Sequence, residues 1–165
     1  MPEPEPAPYR VGQGVDVHAL RPGRPLVLGG VAIPSERGLA GHSDADVLAH
    51  AVCDALLGAA GLGDLGTHFP SSDPRWAGSP SEVFLRHAAR LLAEAGWQVA
   101  NVDATVCCQA PRLGPFVERM RSNLARALSI TPGQVRVAPK STDGLGFAGR
   151  GEGIAALAVC LLTRG

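Results

Sequence analysis

The apolar and polar positions along this chain fall into short runs with two different periods. Residues 11–20, VGQGVDVHAL, and 25–34, PLVLGGVAIP, are β-rich, the second divided by Gly29-Gly30, and they predict strands. From about Asp44 to Ala60 the polar positions Asp46, His50 and Asp54 recur every four residues, which lays them along one side of a long helix. A loop, GDLGTHFPSSD, follows at residues 63–73. Beyond it the pattern predicts an amphipathic helix over 81–95 and a strand over 99–109, then a helix over 115–128 and strands over 134–139 and 153–163.

That order predicts an α+β or α/β sandwich, one mixed sheet with helices on one face. The last strand, IAALAVCLL, is apolar at both parities, whereas a strand with one wet face alternates. Two arrangements satisfy it: a central strand buried on both sides, or helices on one face and another subunit on the other. The pattern alone leaves both open.

Length and charge narrow the class. A chain of 165 residues fits one domain, read here as 9–165, and can bury roughly 70% of its unfolded surface. Fifteen basic residues balance fifteen acidic ones, so no electrostatic surface for nucleic acid or an anionic membrane is expected. No apolar run reaches the roughly 20 residues that span a bilayer. PEPEPAP lacks the features of a secretory signal, so residues 1–8 are expected to be a disordered tail and the protein cytoplasmic. Cys53, Cys107, Cys108 and Cys160 show no CxxC spacing and are read as buried free thiols.

Candidate chemistry gathers near the N-terminal side. Asp16 and His18 on one strand face lie about 7 Å apart along the backbone, and His50 on the long helix can join them. Two imidazoles and a carboxylate suit zinc, with a fourth position left for substrate. Asp46 and Asp54 are candidates to orient His50 from the same helix side, or are simply a solvated stripe. Ser43 is also a candidate helix N-cap. His87 is read as a surface residue, and His68 as part of the loop or its cap.

Four strings occur in order: GQGVDVHAL at Gly12 to Leu20, GLAGHSDADVLAH at Gly38 to His50, DALLGAAGLGDLGTHFP at Asp54 to Pro70, and GLGFAGRGEGIAA at Gly144 to Ala156. Together they resemble the 2-C-methyl-D-erythritol 2,4-cyclodiphosphate synthase family of the non-mevalonate isoprenoid pathway, from about Arg10 to Leu162. The resemblance implies a ferredoxin-like subunit, assembled as a homotrimer around a central apolar cavity with active sites at the subunit interfaces. It implies cyclisation of 4-diphosphocytidyl-2-C-methyl-D-erythritol 2-phosphate with release of CMP. The nucleophile is then the substrate's own phosphate, consistent with the absence of a nucleophile-base pair.

Site roles follow from the same resemblance. Asp16, His18 and His50 match the family's zinc ligands, with Val17 between the first two counted among the substrate contacts. His42 and Ser43 match its phosphate-contacting pair. Asp64, Leu65 and Gly66 match the segment holding the methylerythritol part, and Phe69, Pro70, Ser71, Ser72 and Asp73 the segment closing over it. Ser71 stands where the family often has an acidic residue. Cys108, Gln109, Ala110, Pro111, Arg112, Leu113 and Gly114 occupy the cytidine-binding position, Arg112 replacing the usual Lys. The string VAPKSTDGLGF departs furthest from the family pattern. There Lys140 falls on a threonine, Ser141 and Thr142 fall on phosphate-contacting threonines, and Asp143 falls on a glutamate that binds a second divalent ion, Mg2+ or Mn2+. His42 and Ser141 are the candidates for direct catalytic contact. Phe147 and Arg150 match residues near the substrate and the trimer axis, where Arg150 and Glu152 would ring a cavity that in some members takes an isoprenoid diphosphate.

Two other functions fit parts of the pattern. A zinc-dependent phosphoesterase using Asp16, His18 and His50 predicts linear products, and a non-catalytic trimeric metal- or isoprenoid-binding module predicts bound zinc without turnover.

Overall fold

The first strand, β1 (Tyr9–Pro22), is longer than its apolar alternation suggests because it is paired along most of its length. It runs antiparallel to the last strand, β7 (Gly153–Arg164), from Tyr9 opposite Thr163 to Ala19 opposite Gly153. Its far end pairs with the short β4 (Arg37–Leu39). On the other side of β7 lies β5 (Trp97–Cys107), antiparallel to it, and then β6 (Val135–Lys140), parallel to β5. The five-stranded sheet therefore has the order β4-β1-β7-β5-β6 and is mixed. A separate hairpin joins β2 (Leu26–Leu28) and β3 (Val31–Ile33) through Gly29-Gly30, both in the left-handed region. This computed structural model describes Met1, Glu5 and residues 7–165, so most of the tail expected over residues 1–8 lies outside the described residues.

Helices cover one sheet face only. The long helix α1 (Val47–Ala60) packs on β1 and β7. The amphipathic helices α3 (Glu82–Glu94) and α4 (Val117–Leu128) extend the layer over β5 and β6. Two short helices, α2 (Leu65–His68) and α5 (Gly146–Gly149), lie in loops whose length is too small to show a period. Beneath the helices, Ile154, Ala156, Ala158, Cys160 and Leu162 of β7 are fully buried. Leu157 and Val159, on the opposite parity, are exposed although β7 is central in the sheet. Central position thus accounts for only one of the strand's two apolar faces.

The thiols are unpaired, as expected, but Cys107 at the end of β5 is only half-buried. Burial pushes the Cys108 and Cys160 thiols up to about 11 and that of Cys53 higher still, which leaves these three unreactive. Among the described residues no helix is long and apolar enough to cross a membrane.

Candidate active site

Two glycines set the site by letting a helix lie directly on a strand. A Cβ on Gly12 would meet the Ala55 carbonyl oxygen at 2.0 Å, and one on Gly14 would meet that of Ala51 at 2.0 Å. Continuing along that face of β1, Asp16 and His18 come under the first turn of α1, where His50 projects. Asp46 caps this helix, accepting from Ala49 N at 3.0 Å, so the expected Ser43 cap is displaced; Ser43 Oγ accepts instead from Ala45 N. The same Asp46 carboxylate, fully buried, accepts from Gly29 N at 2.9 Å and Gly30 N at 2.8 Å and so ties the hairpin to α1. Asp54 accepts from Leu65 N at 2.7 Å. Neither carboxylate is bonded to the His50 ring: Asp46, whose backbone carbonyl accepts from His50 N at 3.0 Å, turns its side chain to the hairpin and the helix cap, and Asp54 is used to hold the next loop.

Three ligand atoms converge. Asp16 Oδ2 is 2.9 Å from His18 Nε2 and 3.0 Å from His50 Nδ1, and the two nitrogens are 3.3 Å apart. Atoms bound tetrahedrally at zinc–nitrogen distances would be separated by about 3.3 Å, so the spacing fits a single small cation. Asp16, His18 and His50 form the one such group found among the described residues. His18 Nδ1 donates to the Ala40 carbonyl at 2.7 Å, which leaves Nε2 to face the cluster. Charge follows the geometry. Burial would raise the Asp16 carboxyl, but hydrogen bonds from His18 and His50 outweigh it and hold it well below the usual carboxylate range. The bond to Asp16 raises His18 in turn, against the effect of burial. The site therefore demands positive charge, from a proton or from a metal.

Around the cluster lies a cleft of about 240 Å³, lined by Asp16, His18, His42, Ser43 and His50, by Leu65, Gly66, Phe69 and Ser71, and by Trp76 and Phe84. His42 Nε2 approaches the Asp73 carbonyl at 2.9 Å, linking the phosphate-type pair to the loop. Phe69 is packed rather than free, 4.4 Å from the Phe84 ring and 5.0 Å from those of Trp76 and His87. His87 is consequently half-buried, not a surface residue, and His68 is bonded to the Leu62 carbonyl at 2.6 Å. Other expected residues point elsewhere. Val17 is exposed on the open sheet face, and the Asp64 carboxylate caps α2, accepting from Thr67 N at 2.8 Å. The Asp73 side chain is occupied by Arg75, and Pro70 and Ser72 do not line the cleft. Trp76, Ser81 and Phe84 were not singled out in the sequence. Ser81 carried a visible signal, since it immediately precedes the amphipathic helix.

A second cleft of about 510 Å³ contains Cys108, Gln109, Pro111, Arg112, Leu113 and Gly114 together with Lys140 and Ser141. It forms because β5 and β6 end side by side: Cys107 is opposite Lys140, and Cys108 N donates to the Lys140 carbonyl at 2.8 Å. Gln109 Oε1 accepts from Gly144 N, and Ala110-Pro111 is a cis peptide. Thr142 Oγ1 donates to the Leu145 carbonyl at 2.7 Å, so its hydroxyl is used locally. Asp143 lies in the left-handed region with φ 52° and accepts from Ser141 Oγ at 3.2 Å. Phe147 and Arg150 lie outside both clefts, Arg150 paired with Glu152 at 2.8 Å.

A sequence model of the YgbB family matches residues 9–163. The chain belongs to the YgbB family. It is 60% identical over 153 residues to a 2-C-methyl-D-erythritol 2,4-cyclodiphosphate synthase of Laribacter hongkongensis, covering 93% of this chain and 94% of the relative. To the synthase of the same name in Thiobacillus denitrificans it is 58% identical over 156 residues, 94% of this chain and 98% of that one. Its fold is similar to that of the IspF of Plasmodium falciparum, solved as a CDP complex, with a TM-score of 0.83 and 33% identity over 94% of this chain and 96% of that chain.

Of the residues at which the sequence was expected to depart from the family pattern, Ser71, Arg112 and Lys140 line the clefts and Asp143 does not. Ser71 and Arg112 are exposed at the rims of the first and second clefts, and Lys140 ends β6 beside Ser141. Asp143 is exposed on the turn that follows. All four side chains are exposed, and none belongs to the buried core.

Proposed function

We propose that the protein is a 2-C-methyl-D-erythritol 2,4-cyclodiphosphate synthase. The observation that carries this reading is the convergence of Asp16, His18 and His50 in one cleft with His42, Ser43 and the 65–71 loop, in a YgbB chain. An oxygen of the substrate's 2-phosphate attacks the β-phosphorus of the cytidine diphosphate. As that P–O bond forms, the bond from the β-phosphorus to the bridging oxygen breaks, and its electron pair leaves with CMP. Zinc held by Asp16, His18 and His50 would supply Lewis-acid charge at a diphosphate oxygen.

The chain's own groups position the rest. His42 and Ser43 stand at the cleft wall as donors to the phosphates, and loss of such a donor costs about 2.7–4 kcal/mol of barrier. Phe69, Phe84 and Trp76 make an apolar wall that keeps water, the competing nucleophile, from the reacting phosphorus. Gln109, Arg112 and the backbone of 108–114 hold the cytidine part, the Ser141 hydroxyl contacts the phosphates, and Asp143 would hold a second cation, Mg2+ or Mn2+, which would supply further charge to them.

A cleft of about 240 Å³ is too small for the whole substrate, since pockets for ligands of that size run to roughly 300–1,000 Å³. The cytidine cleft lies three strands away, Val17, Ala155, Cys107 and Lys140 forming one row across the sheet, or about 14 Å at ordinary strand spacing. We take the active unit to be a homotrimer of ferredoxin-like subunits. Its open sheet faces line a central cavity, which can admit an isoprenoid diphosphate past Arg150, and its active sites join clefts of neighbouring copies. Its free thiols agree with a cytoplasmic setting.

Phosphorus NMR of the protein with 4-diphosphocytidyl-2-C-methyl-D-erythritol 2-phosphate and Mg2+ tests the reading. Cyclic diphosphate and CMP, lost on chelation and regained with zinc, are expected. Linear phosphates would instead mark a phosphoesterase, and intact substrate on zinc-loaded protein a binding module.

A further inference from the structure

The half of His50 that faces away from the cluster meets Ser43 and, more closely, a pair of residues with no assigned role, Ser81 and Asp44. Its Nε2 lies 2.9 Å from Ser81 Oγ and 3.2 Å from Ser43 Oγ. Ser81 Oγ is hydrogen-bonded to Asp44 Oδ1, while Ser81 N donates to Asp44 Oδ2 at 2.9 Å. Asp46 N also donates to Asp44 Oδ1, at 3.1 Å. Three donors thus converge on the half-buried Asp44, and Ser81 is 1% and His50 6% exposed, so water does not compete for the bond between those two.

We propose that Asp44, acting through Ser81, sets the tautomer of His50 and makes it a cation ligand. The direction of each bond follows from what the groups can do. A carboxylate only accepts, so the hydroxyl proton of Ser81 must point to Asp44. That leaves the Ser81 oxygen as acceptor toward His50, whose proton is therefore on Nε2. Nδ1 is then the nitrogen left for a cation, 3.0 Å from Asp16 Oδ2 and 3.3 Å from His18 Nε2; without a cation the Asp16 carboxylate accepts a hydrogen bond from it instead. His18 is set by a backbone carbonyl, its Nδ1 donating to Ala40; His50 is set by a side chain and can be reversed by mutation. Asp44 and Ser81 are positioning residues, since they touch neither cation nor substrate. They also join the segment leading into α1, two residues before its cap, to the residue before α3, so the packing of the two helices bears on the ring plane.

Asp44→Asn reverses the chain without removing atoms. The amide has one acceptor for two backbone donors, and the N–H of Ser81, at 2.9 Å, claims it over that of Asp46, at 3.1 Å. The amide nitrogen then donates to Ser81 Oγ, and the hydroxyl must donate to His50 Nε2. The proton moves to Nδ1, where it blocks the cation. Ser81→Ala behaves differently, because Ser43 Oγ remains within 3.2 Å to accept from Nε2–H.

The inference rests on the reading of Asp16, His18 and His50 as a metal centre, and the experiment separates the two. Nitrogen-15 NMR of His50 is recorded on metal-free protein at mildly alkaline pH with Asp16→Ala present in every sample, which removes the carboxylate that would otherwise draw the proton to Nδ1, and zinc affinity is measured by chelator competition with Asp16 in place. On that background the otherwise wild-type chain is expected to be protonated on Nε2, Asp44→Asn on Nδ1, and Ser81→Ala on Nε2. Zinc affinity should fall about 100-fold in Asp44→Asn and nearer 10-fold in Ser81→Ala, within the range for groups that support metal ligands. An Nε2–H tautomer in folded Asp44→Asn overturns the proposal, as does an equal loss in both variants. Should Asp44→Asn fail to fold, an Nδ1–H tautomer in wild type or in Ser81→Ala overturns it equally. A wild type that binds no zinc while carrying Nε2–H overturns the metal reading and leaves the tautomer assignment standing.

Discussion

At the scale of single residues the cluster behaves as an ion pair waiting for a cation. In chelated protein the Asp16 carboxyl is held low and the His18 imidazole high. The Asp16 contribution to stability is present above the ordinary carboxylate range and is lost as pH falls through the depressed folded value. The His18 contribution is complete below its unfolded value of about 6.5 and is lost as pH rises through the raised folded value. Both act together only between about pH 4 and pH 6.5. The Tm advantage of wild type over His18→Gln, measured in EDTA, should therefore peak in that window and shrink on either side; an advantage flat in pH would contradict the pairing. Trp76 gives a second prediction. Its buried Nε1 has no acceptor while its ring packs on Phe69 and Phe84, at 5.0 and 5.9 Å. An orphaned donor costs about 1–3 kcal/mol, so Trp76→Phe should hold or raise the urea midpoint of the free protein despite its smaller ring. Asp16, His18 and His50 were legible because strand parity and the helical repeat carry them. Asp44 and Ser81, 37 positions apart, were not, because only the packing of α1 on α3 makes them partners.

Elements owe their placement to what the backbone can approach. The Asp46-to-Asp54 repeat predicted α1 correctly over most of its length but began it early, because Asp46 turns its carboxylate back as a cap. The period-two pattern of β1 was visible, whereas β4, three residues long, had no room for one. What the pattern could not convey is that Gly12 and Gly14 are bare for the sake of α1. Gly14→Ala would drive a methyl into the Ala51 carbonyl at 2.0 Å, which backbone cannot yield cheaply. It should cost about 1–3 kcal/mol or more. By lifting α1 it should also separate His50 from Asp16 and weaken zinc binding. Gly58, exposed on the same helix with nothing within 4 Å of an added Cβ, supplies the contrast. Gly58→Ala should stabilise by about 0.4–1 kcal/mol with zinc affinity unchanged. Equilibrium unfolding and zinc titration of the two variants measure both effects.

For the whole molecule the question is what the open face of the sheet is for. Val15 opposite Leu157, with Val11, Val17 and Val159 around them, makes one apolar stripe across β1 and β7. Further along the same sheet the exposed groups turn polar, with Asp103 of β5 paired to Arg136 of β6. A contiguous apolar patch of that kind on a centrally placed strand fits the proposed contact between copies, which would account for the double parity of IAALAVCLL that strand position alone does not. Leu157→Glu buries a charge if copies meet there and is harmless if they do not. Light scattering should give the trimer mass for wild type and a single chain for the variant. The cation site is built within one chain from β1 and α1, so the variant should still bind about one zinc per chain while cyclisation is lost, because the cytidine cleft of a neighbour is gone. A monomeric variant that still turned over would show that the two clefts of one chain suffice. A variant that lost both zinc and turnover would point to misfolding, which Val159→Thr, close in shape and milder in polarity, would separate from loss of assembly by weakening the trimer without unfolding the chain.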